Sequence, residues 1–340
     1  MAKHVALDWD ARYGWDLIRR DAAEFKDFVV VTSPRAWEIV EPLMPRPRGV
    51  VMHQAMGTAS LAKVLAEAPE AELVVACGGG NALDVGKYLA AMQGRPLVMI
   101  PTIVSTGSIF QHGYATRHEH EWSWHSPELD LRCILLDFGV IRQAPPRLNC
   151  AGMGETIANV AIIAAWRWWS EHRLGGAAWD QGVADGVLAW IREQVEGFVS
   201  DLDGNGQPGE KGIRIVAENQ RERYILPHQE LDLEGNLDHT FCCAFEWVHG
   251  RELLHSEAVS LGTLINCFLY DGYFDEAKSM LEKCRTRYLP EDIGCTVDEV
   301  RHVLDRITEA GEHMIFSRNW FHVKKMDDAR FEGVIGAIEG

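Results

Sequence analysis

Three histidines fall within LDHTFCCAFEWVHGRELLHSEAVSLG (237–262): His239, His249 and His255. Imidazole nitrogen binds transition metals and exchanges protons near neutrality, so both chemistries are open to them. His239 and His255 stand sixteen residues apart. That is not the H-x-x-x-H spacing that sets two ligands on one helix face, so only tertiary folding could bring them together. Two histidines on packed apolar helices are also ordinary core residues, and the spacing alone leaves both readings open.

A second stretch has the residue types to hold a phosphate. VVACGGGNALDVGKYLA (74–90) reads as a strand, then Gly78, Gly79 and Gly80, then a helix. The glycines remove every Cβ that would keep a diphosphate from the backbone, and a helix N-terminus offers N–H groups and a positive dipole end. The spacing is not G-x-G-x-x-G, and glycine turns also serve packing. Asp84 and Lys87, three residues apart on that helix, read alone as a solvated face. DLDGNGQPG (201–209) carries Asp201, Asp203, Asn205 and Gly206 at calcium-loop offsets, but Gly212 stands where the bidentate glutamate belongs. A turn is the expectation there.

The elements that must position these residues follow from periodicity. FVVVTS (28–33), ELVVAC (72–77), PLVMIPT (96–102) and RCILLDF (132–138) are continuous apolar runs, as expected of strands buried on both faces of a parallel sheet. Residues 60–68 and 82–92 have helical periodicity between them, giving βαβ units and a doubly wound, Rossmann-like sheet. After QAPPRL (143–148) the pattern turns helical: 154–174, 180–202, the histidine stretch, and 291–314. The expected division is an α/β domain over 1–148 and an all-α domain over 149–340.

Bulk properties narrow the function classes. The 340 residues are 47% hydrophobic and 24% charged, which fits a folded protein. A net charge of −17 argues against nucleic acid as a partner. No run of about 18 apolar residues is evident, so no membrane partner is expected. MAKHVALDWDARYGW lacks the layout of a signal peptide, and the eight cysteines are scattered without a CxxC, so a cytoplasmic protein with reduced thiols is expected.

GGGNALDVGKYLA followed by MIPTIVSTGS (99–108) resembles the iron-containing alcohol dehydrogenase and glycerol dehydrogenase superfamily, which includes dehydroquinate synthase. Its GGG-x-x-x-D-x-x-K and P-T-x-x-S-T patterns fit at Gly78, Gly79, Gly80, Asp84, Lys87, Pro101, Thr102, Ser105 and Thr106. The resemblance implies a dehydroquinate synthase-like fold. It also implies NAD or NADP held at the glycines, Thr102, Ser105 and Thr106, with Asp84 and Lys87 structural or near the cofactor. The second strand ends in Thr32-Ser33-Pro34-Arg35 with no acid for the ribose hydroxyls, which leans towards NADP.

LDFGVIRQAPPRLNCAGMGETIAN resembles the family stretch bearing the first metal ligand, here Glu155; His239 and His255 match the other two. One carboxylate and two imidazoles leave positions open for substrate, as a catalytic metal requires, with zinc favoured over iron. Glutamate as ligand, the sixteen-residue spacing and Asn236 also resemble the sugar-phosphate cyclases of the same superfamily. Other cyclase residues are replaced: a histidine by Cys243, an arginine by Asp232, a lysine by Ala158.

The leading expectation is a metal-dependent NAD(P) oxidoreductase acting on an alcohol, a polyol or polyol phosphate. A cyclase that uses NAD catalytically is the alternative, and a non-catalytic descendant the third reading. His249 and His112 are candidate proton relays, Asn236 and Arg117 candidate substrate contacts, with His118 and His120 in the loop near Arg117. A small polar substrate and a homodimer are the expected partners.

Overall fold

The structure, a computed structural model, describes residues 9–53, 55–118, 121–175, 178–222, 237–312 and 319–340. The chain divides into two compact units, Met1–Asn149 with Leu202–Arg221, and Cys150–Asp201 with Glu222–Gly340.

The first unit is built on a parallel sheet of β1 (Ala11–Gly14), β2 (Phe28–Thr32), β3 (Gly49–Met52), β4 (Leu73–Gly78), β5 (Leu97–Pro101) and a later strand, β8 (Leu131–Asp137). Their order is β1-β8-β5-β4-β2-β3. The four expected apolar runs form the four inner strands. Their side chains alternate between two buried faces: Phe28, Val30, Val75, Cys77, Val98, Ile100, Cys133 and Leu135 share one core, while Val29, Val31, Val74, Ala76, Met99 and Ile134 are equally buried on the other. β1 and β3 are four-residue edge strands, too short for periodicity to reveal. Between β5 and β8 the chain makes an antiparallel hairpin, β6 (Tyr114–His118) and β7 (Glu121–His125).

Five helices accompany these strands: α1 (Leu17–Asp21), α2 (Pro34–Val40), α3 (Thr58–Glu67), α4 (Gly80–Gln93) and α5 (Phe138–Ile141). From β2 the chain moves to β3 on one side, and from β4 to β5 on the other. Such a reversal opens a crevice at the carboxyl ends of the two strands, where open α/β sheets bind ligands. The glycine turn begins at the end of β4, inside that crevice.

α6 (Pro146–Glu171) leads out of the first unit, followed by α7 (Gln181–Val199). By length and composition α6 could cross a membrane, but its most apolar window is 94% buried, as in a core helix. The acidic turn after α7 is held by Asp203, whose Oδ1 accepts from the backbone N–H of Asn205 (2.9 Å) and of Gln207 (3.0 Å). It leads into α8 (Glu210–Glu222). There Glu218 accepts from the Tyr13 hydroxyl, Glu210 accepts from the Trp15 indole, and Gln220 donates to the Val104 carbonyl. These bonds tie the 202–221 segment to the first unit.

The second unit continues with α9 (Leu237–His249), α10 (His255–Leu269), α11 (Phe274–Lys283), α12 (Pro290–Ile293), α13 (Val297–Glu312) and α14 (Asp328–Glu339). The helical stretch expected over 291–314 is divided at Gly294, which turns left-handed (φ 92°) after α12. Thr296 then opens α13 with a reciprocal cap, its Oγ1 accepting from the Glu299 N–H while Glu299 accepts from the Thr296 N–H.

Candidate metal centre and dinucleotide loop

Three elements of the second unit converge: α6 brings Glu155, α9 brings His239 and α10 brings His255. Their donor atoms all lie within 4.8 Å of one another. Helices this close need small residues at the crossings. A Cβ on Gly154 would lie 2.6 Å from the Ser256 carbonyl oxygen, and one on Gly262 would lie 2.6 Å from that of Asp238. Gly154 thus lets α6 approach α10, and Gly262 lets α10 approach α9. The hydroxyls of α10 spend no unpaired polarity in this packing: Ser260 donates to the Ser256 carbonyl (2.6 Å) and Thr263 to that of Val259 (2.8 Å).

Glu155 is buried, and each of its oxygens faces one histidine: Oε2 is 3.3 Å from His239 Nε2, and Oε1 is 3.1 Å from His255 Nε2. Ser256 Oγ donates to Oε1 at 3.2 Å, holding the carboxylate in place. Donors bound to one tetrahedral zinc at about 2.0–2.1 Å stand roughly 3.3 Å apart. The two nitrogens and one carboxylate therefore fit a divalent cation in chemistry, and each nitrogen lies at the separation from Glu155 that a shared cation would require. This is the set that the family resemblance implies.

The dinucleotide residues belong to the first unit. Gly78 ends β4 with φ +148°, a conformation other residues rarely adopt, and Gly79 caps α4 without a side chain. The backbone amide of Thr102 donates to the Gly78 carbonyl (3.0 Å). A Cβ on Gly80 would lie 2.7 Å from Thr106 Oγ1 and 3.1 Å from Ser108 Oγ, so the segment after β5 lies directly over the turn. The glycines thus let Ala82, Ile103, Thr106 and Ser108 close on the turn, and the N-terminus of α4 beside it offers the N–H groups and dipole that suit a diphosphate. Ser105 is buried in the same segment.

Asp84 and Lys87 are not a solvated face. Lys87 is fully buried, and its Nζ donates to Asp84 Oδ1 (2.8 Å), the Ser108 carbonyl (2.6 Å) and the Gly113 carbonyl (3.3 Å). Ser108 Oγ donates to the other Asp84 oxygen at 3.2 Å. The pair ties the segment after β5 to α4, holding that segment against the glycine turn. Burial pulls the Lys87 ammonium down from its ordinary value, and the Asp84 carboxylate resists that shift.

His249 ends α9, ten residues or roughly 15 Å along the helix from His239, and its Nε2 lies 3.3 Å from the Glu299 carbonyl oxygen. His112 precedes β6 in the first unit, Arg117 lies 4.3 Å over the Trp122 ring within the hairpin, and His118 pairs with Thr58. Arg35 is engaged with Glu38 at 2.7 Å. Asn236, Asp232 and His120 lie outside the described residues. Asp238 and Cys242, which sequence reasoning passed over, each meet the far nitrogen of a histidine at the centre. Asp238 was visible as the residue before His239, but nothing in its spacing signalled the contact.

Comparison with known proteins agrees with this architecture. Residues 20–145 match the family model of iron-containing alcohol dehydrogenases. The chain is 24% identical to the glycerol-1-phosphate dehydrogenase [NAD(P)+] of Hyperthermus butylicus, over 94% of this chain and 95% of that protein. It is 25% identical to the Thermofilum pendens enzyme of the same name, over 81% of each. Among solved structures, glycerol dehydrogenase from Schizosaccharomyces pombe superposes with a TM-score of 0.66 at 18% identity, covering 97% of this chain and 89% of that one. An iron-containing alcohol dehydrogenase from Corynebacterium glutamicum gives 0.64 at 15%, covering 100% and 96%. The family match covers the glycine turn at the sheet's switch point, and the chain is similar along most of its length to glycerol-1-phosphate dehydrogenases and, in fold, to glycerol and iron-containing alcohol dehydrogenases.

Proposed function

We propose that the chain is a metal-dependent NAD(P) oxidoreductase that interconverts an alcohol and its ketone or aldehyde, with a polyol phosphate as substrate and zinc as the metal. The observation that carries this reading is the convergence of Glu155, His239 and His255 on one point. The glycine turn at residues 78–80 supplies the second half of the chemistry. A divalent cation at the centre provides Lewis acidity towards the substrate oxygen, and a bound nicotinamide provides the hydride acceptor. Glu155 and the two histidines hold the cation with positions to spare, and Ser256 keeps the carboxylate oriented. The glycine turn admits the diphosphate to the backbone, and Thr106 and Ser108 border it.

Glycerol phosphate heads the candidate substrates because relatives aligning over most of the chain are named glycerol-1-phosphate dehydrogenases. Those names also favour net oxidation and reduction over the cyclase alternative. The eight free thiols suit a reducing compartment, and a homodimer is the expected assembly. The test incubates zinc-loaded protein with NAD+ or NADP+ and, in turn, glycerol 1-phosphate, glycerol 3-phosphate and glycerol. Accumulation of reduced nicotinamide with one of them supports the reading. Release of inorganic phosphate from a sugar phosphate without net reduction would replace it with the cyclase.

A further inference from the structure

We infer that Asp238 is a positioning residue of the metal centre, and that the two imidazole ligands are held unequally, His239 by a carboxylate and His255 by a thiol. This rests on the metal reading above.

Both histidines turn Nε2 towards Glu155, which leaves Nδ1 to be satisfied from behind. Behind His239 the partner is Asp238, whose Oδ2 is 3.0 Å from Nδ1 and whose side chain has no solvent exposure. With a cation at the centre taking the Nε2 lone pair, the proton belongs on Nδ1, and the Asp238 carboxylate oxygen stands where it accepts that N–H. The backbone of Asp238 cannot drift, because α10 touches it at Gly262: a Cβ there would lie 2.8 Å from Asp238 Cα.

Behind His255 stands Cys242, with Sγ 3.4 Å from Nδ1 and 3.8 Å from the His255 carbonyl oxygen. The thiol donates to that carbonyl, and its sulfur is the acceptor left for the ring N–H. Sulfur is a weak acceptor. A carboxylate behind an imidazole fixes its tautomer and raises its basicity, and losing such a partner costs about 10–100-fold in metal affinity. His239 is therefore the firmly set ligand and His255 the yielding one. That difference follows from the two residue types alone, since both rings present the same nitrogen to the same carboxylate.

The experiment measures zinc affinity by chelator competition in wild type, Asp238→Asn and Cys242→Ala, with thermal unfolding of each metal-free protein as the check on folding. Asp238→Asn should weaken zinc about 10–100-fold, because the amide can donate to Nδ1 and favour the wrong tautomer. Cys242→Ala should weaken it less than about threefold, as the lost acceptor is weak. Equal affinity of Asp238→Asn and wild type, or an equal loss in both variants, overturns the inference while leaving the metal reading intact. A wild type that binds no zinc removes both. Should Asp238→Asn fail to fold, nuclear magnetic resonance of the zinc-loaded wild type decides. The His239 Nδ1–H proton should lie downfield of that of His255, as a carboxylate acceptor dictates, and the reverse order overturns the inference.

Discussion

Gly262 of α10 sits against the Asp238 backbone of α9 so closely that a Cβ would stand 2.6 Å from its carbonyl oxygen and 2.8 Å from its Cα. Backbone cannot swing aside as a long side chain can, so any larger residue must push one helix from the other. The metal histidines ride on these two helices. Gly262→Ala should cost about 1–3 kcal/mol from overpacking and weaken metal binding together with stability. Gly336→Ala in α14, where the added methyl meets nothing within 4 Å, is the control and should be neutral or slightly stabilising. Denaturant unfolding and metal titration of both variants check this. Equal behaviour of the two would remove the close approach from the explanation.

Lys87 offers a separate test in the first unit. Replacing it with methionine keeps the stem but leaves the Asp84 carboxylate and the Ser108 and Gly113 carbonyls without their shared donor. Breaking a buried pair from one side costs about 3–5 kcal/mol. Lys87→Met should lose stability on that scale and bind dinucleotide poorly, because the segment over the glycine turn is no longer tethered. Urea denaturation and dinucleotide titration are the measurements.

Lys87 also marks the boundary of what sequence can tell. Its spacing from Asp84 is the same whether the face is wet or dry, and only the packing of the segment after β5 decides. The inner strands were legible because two-sided burial makes every residue apolar, whereas β1 and β3 have four residues each and one neighbour apiece. The break at Gly294 and the cap at Thr296 interrupt a stretch whose helical periodicity resumes on both sides, so periodicity alone does not place them. Placement of the 202–221 segment depends on bonds such as that between Tyr13 and Glu218, 205 residues apart, which no local pattern encodes. Glu155, His239 and His255 were legible only through resemblance, since their spacing carries no ligand signature.

Alkaline pH should destabilise the fold through its buried thiols. Burial pushes Cys77 from the ordinary 9.0 up to about 12, against a smaller opposing effect of the Thr32 hydroxyl. Cys150 rises to about 11, and Cys284 and Cys295 to about 12, for the same reason. Between the two values the native thiol keeps a proton that the unfolded chain has released. The unfolded state then binds fewer protons, and stability falls as pH rises through that window. Each such thiol contributes at most about 1.4 kcal/mol per pH unit. Cys77→Ala should flatten the decline between pH 9 and 11 by up to that amount, whatever its effect at neutrality. Unfolding free energies measured across the window give the slope directly.

Removing the metal should leave the dinucleotide half of the chemistry standing. The donors Glu155, His239 and His255 lie wholly in the second unit, and the glycine turn lies wholly in the first. Glu155→Gln keeps the shape of the side chain but withdraws the negative charge that faces both imidazoles at 3.1 and 3.3 Å. Loss of a direct ligand should exceed the 10–100-fold that an outer partner costs, so metal affinity should drop by more than about 100-fold. Dinucleotide should still raise the unfolding temperature of Glu155→Gln, and of chelated wild type, by nearly as much as in the metal-loaded protein. Turnover should vanish in both. If instead chelation abolished dinucleotide binding, the two sites would be thermodynamically coupled and the separation argued from their residues would be wrong. If turnover survived chelation, the cluster at Glu155 would be a buried ion-pair network and the metal reading would fall.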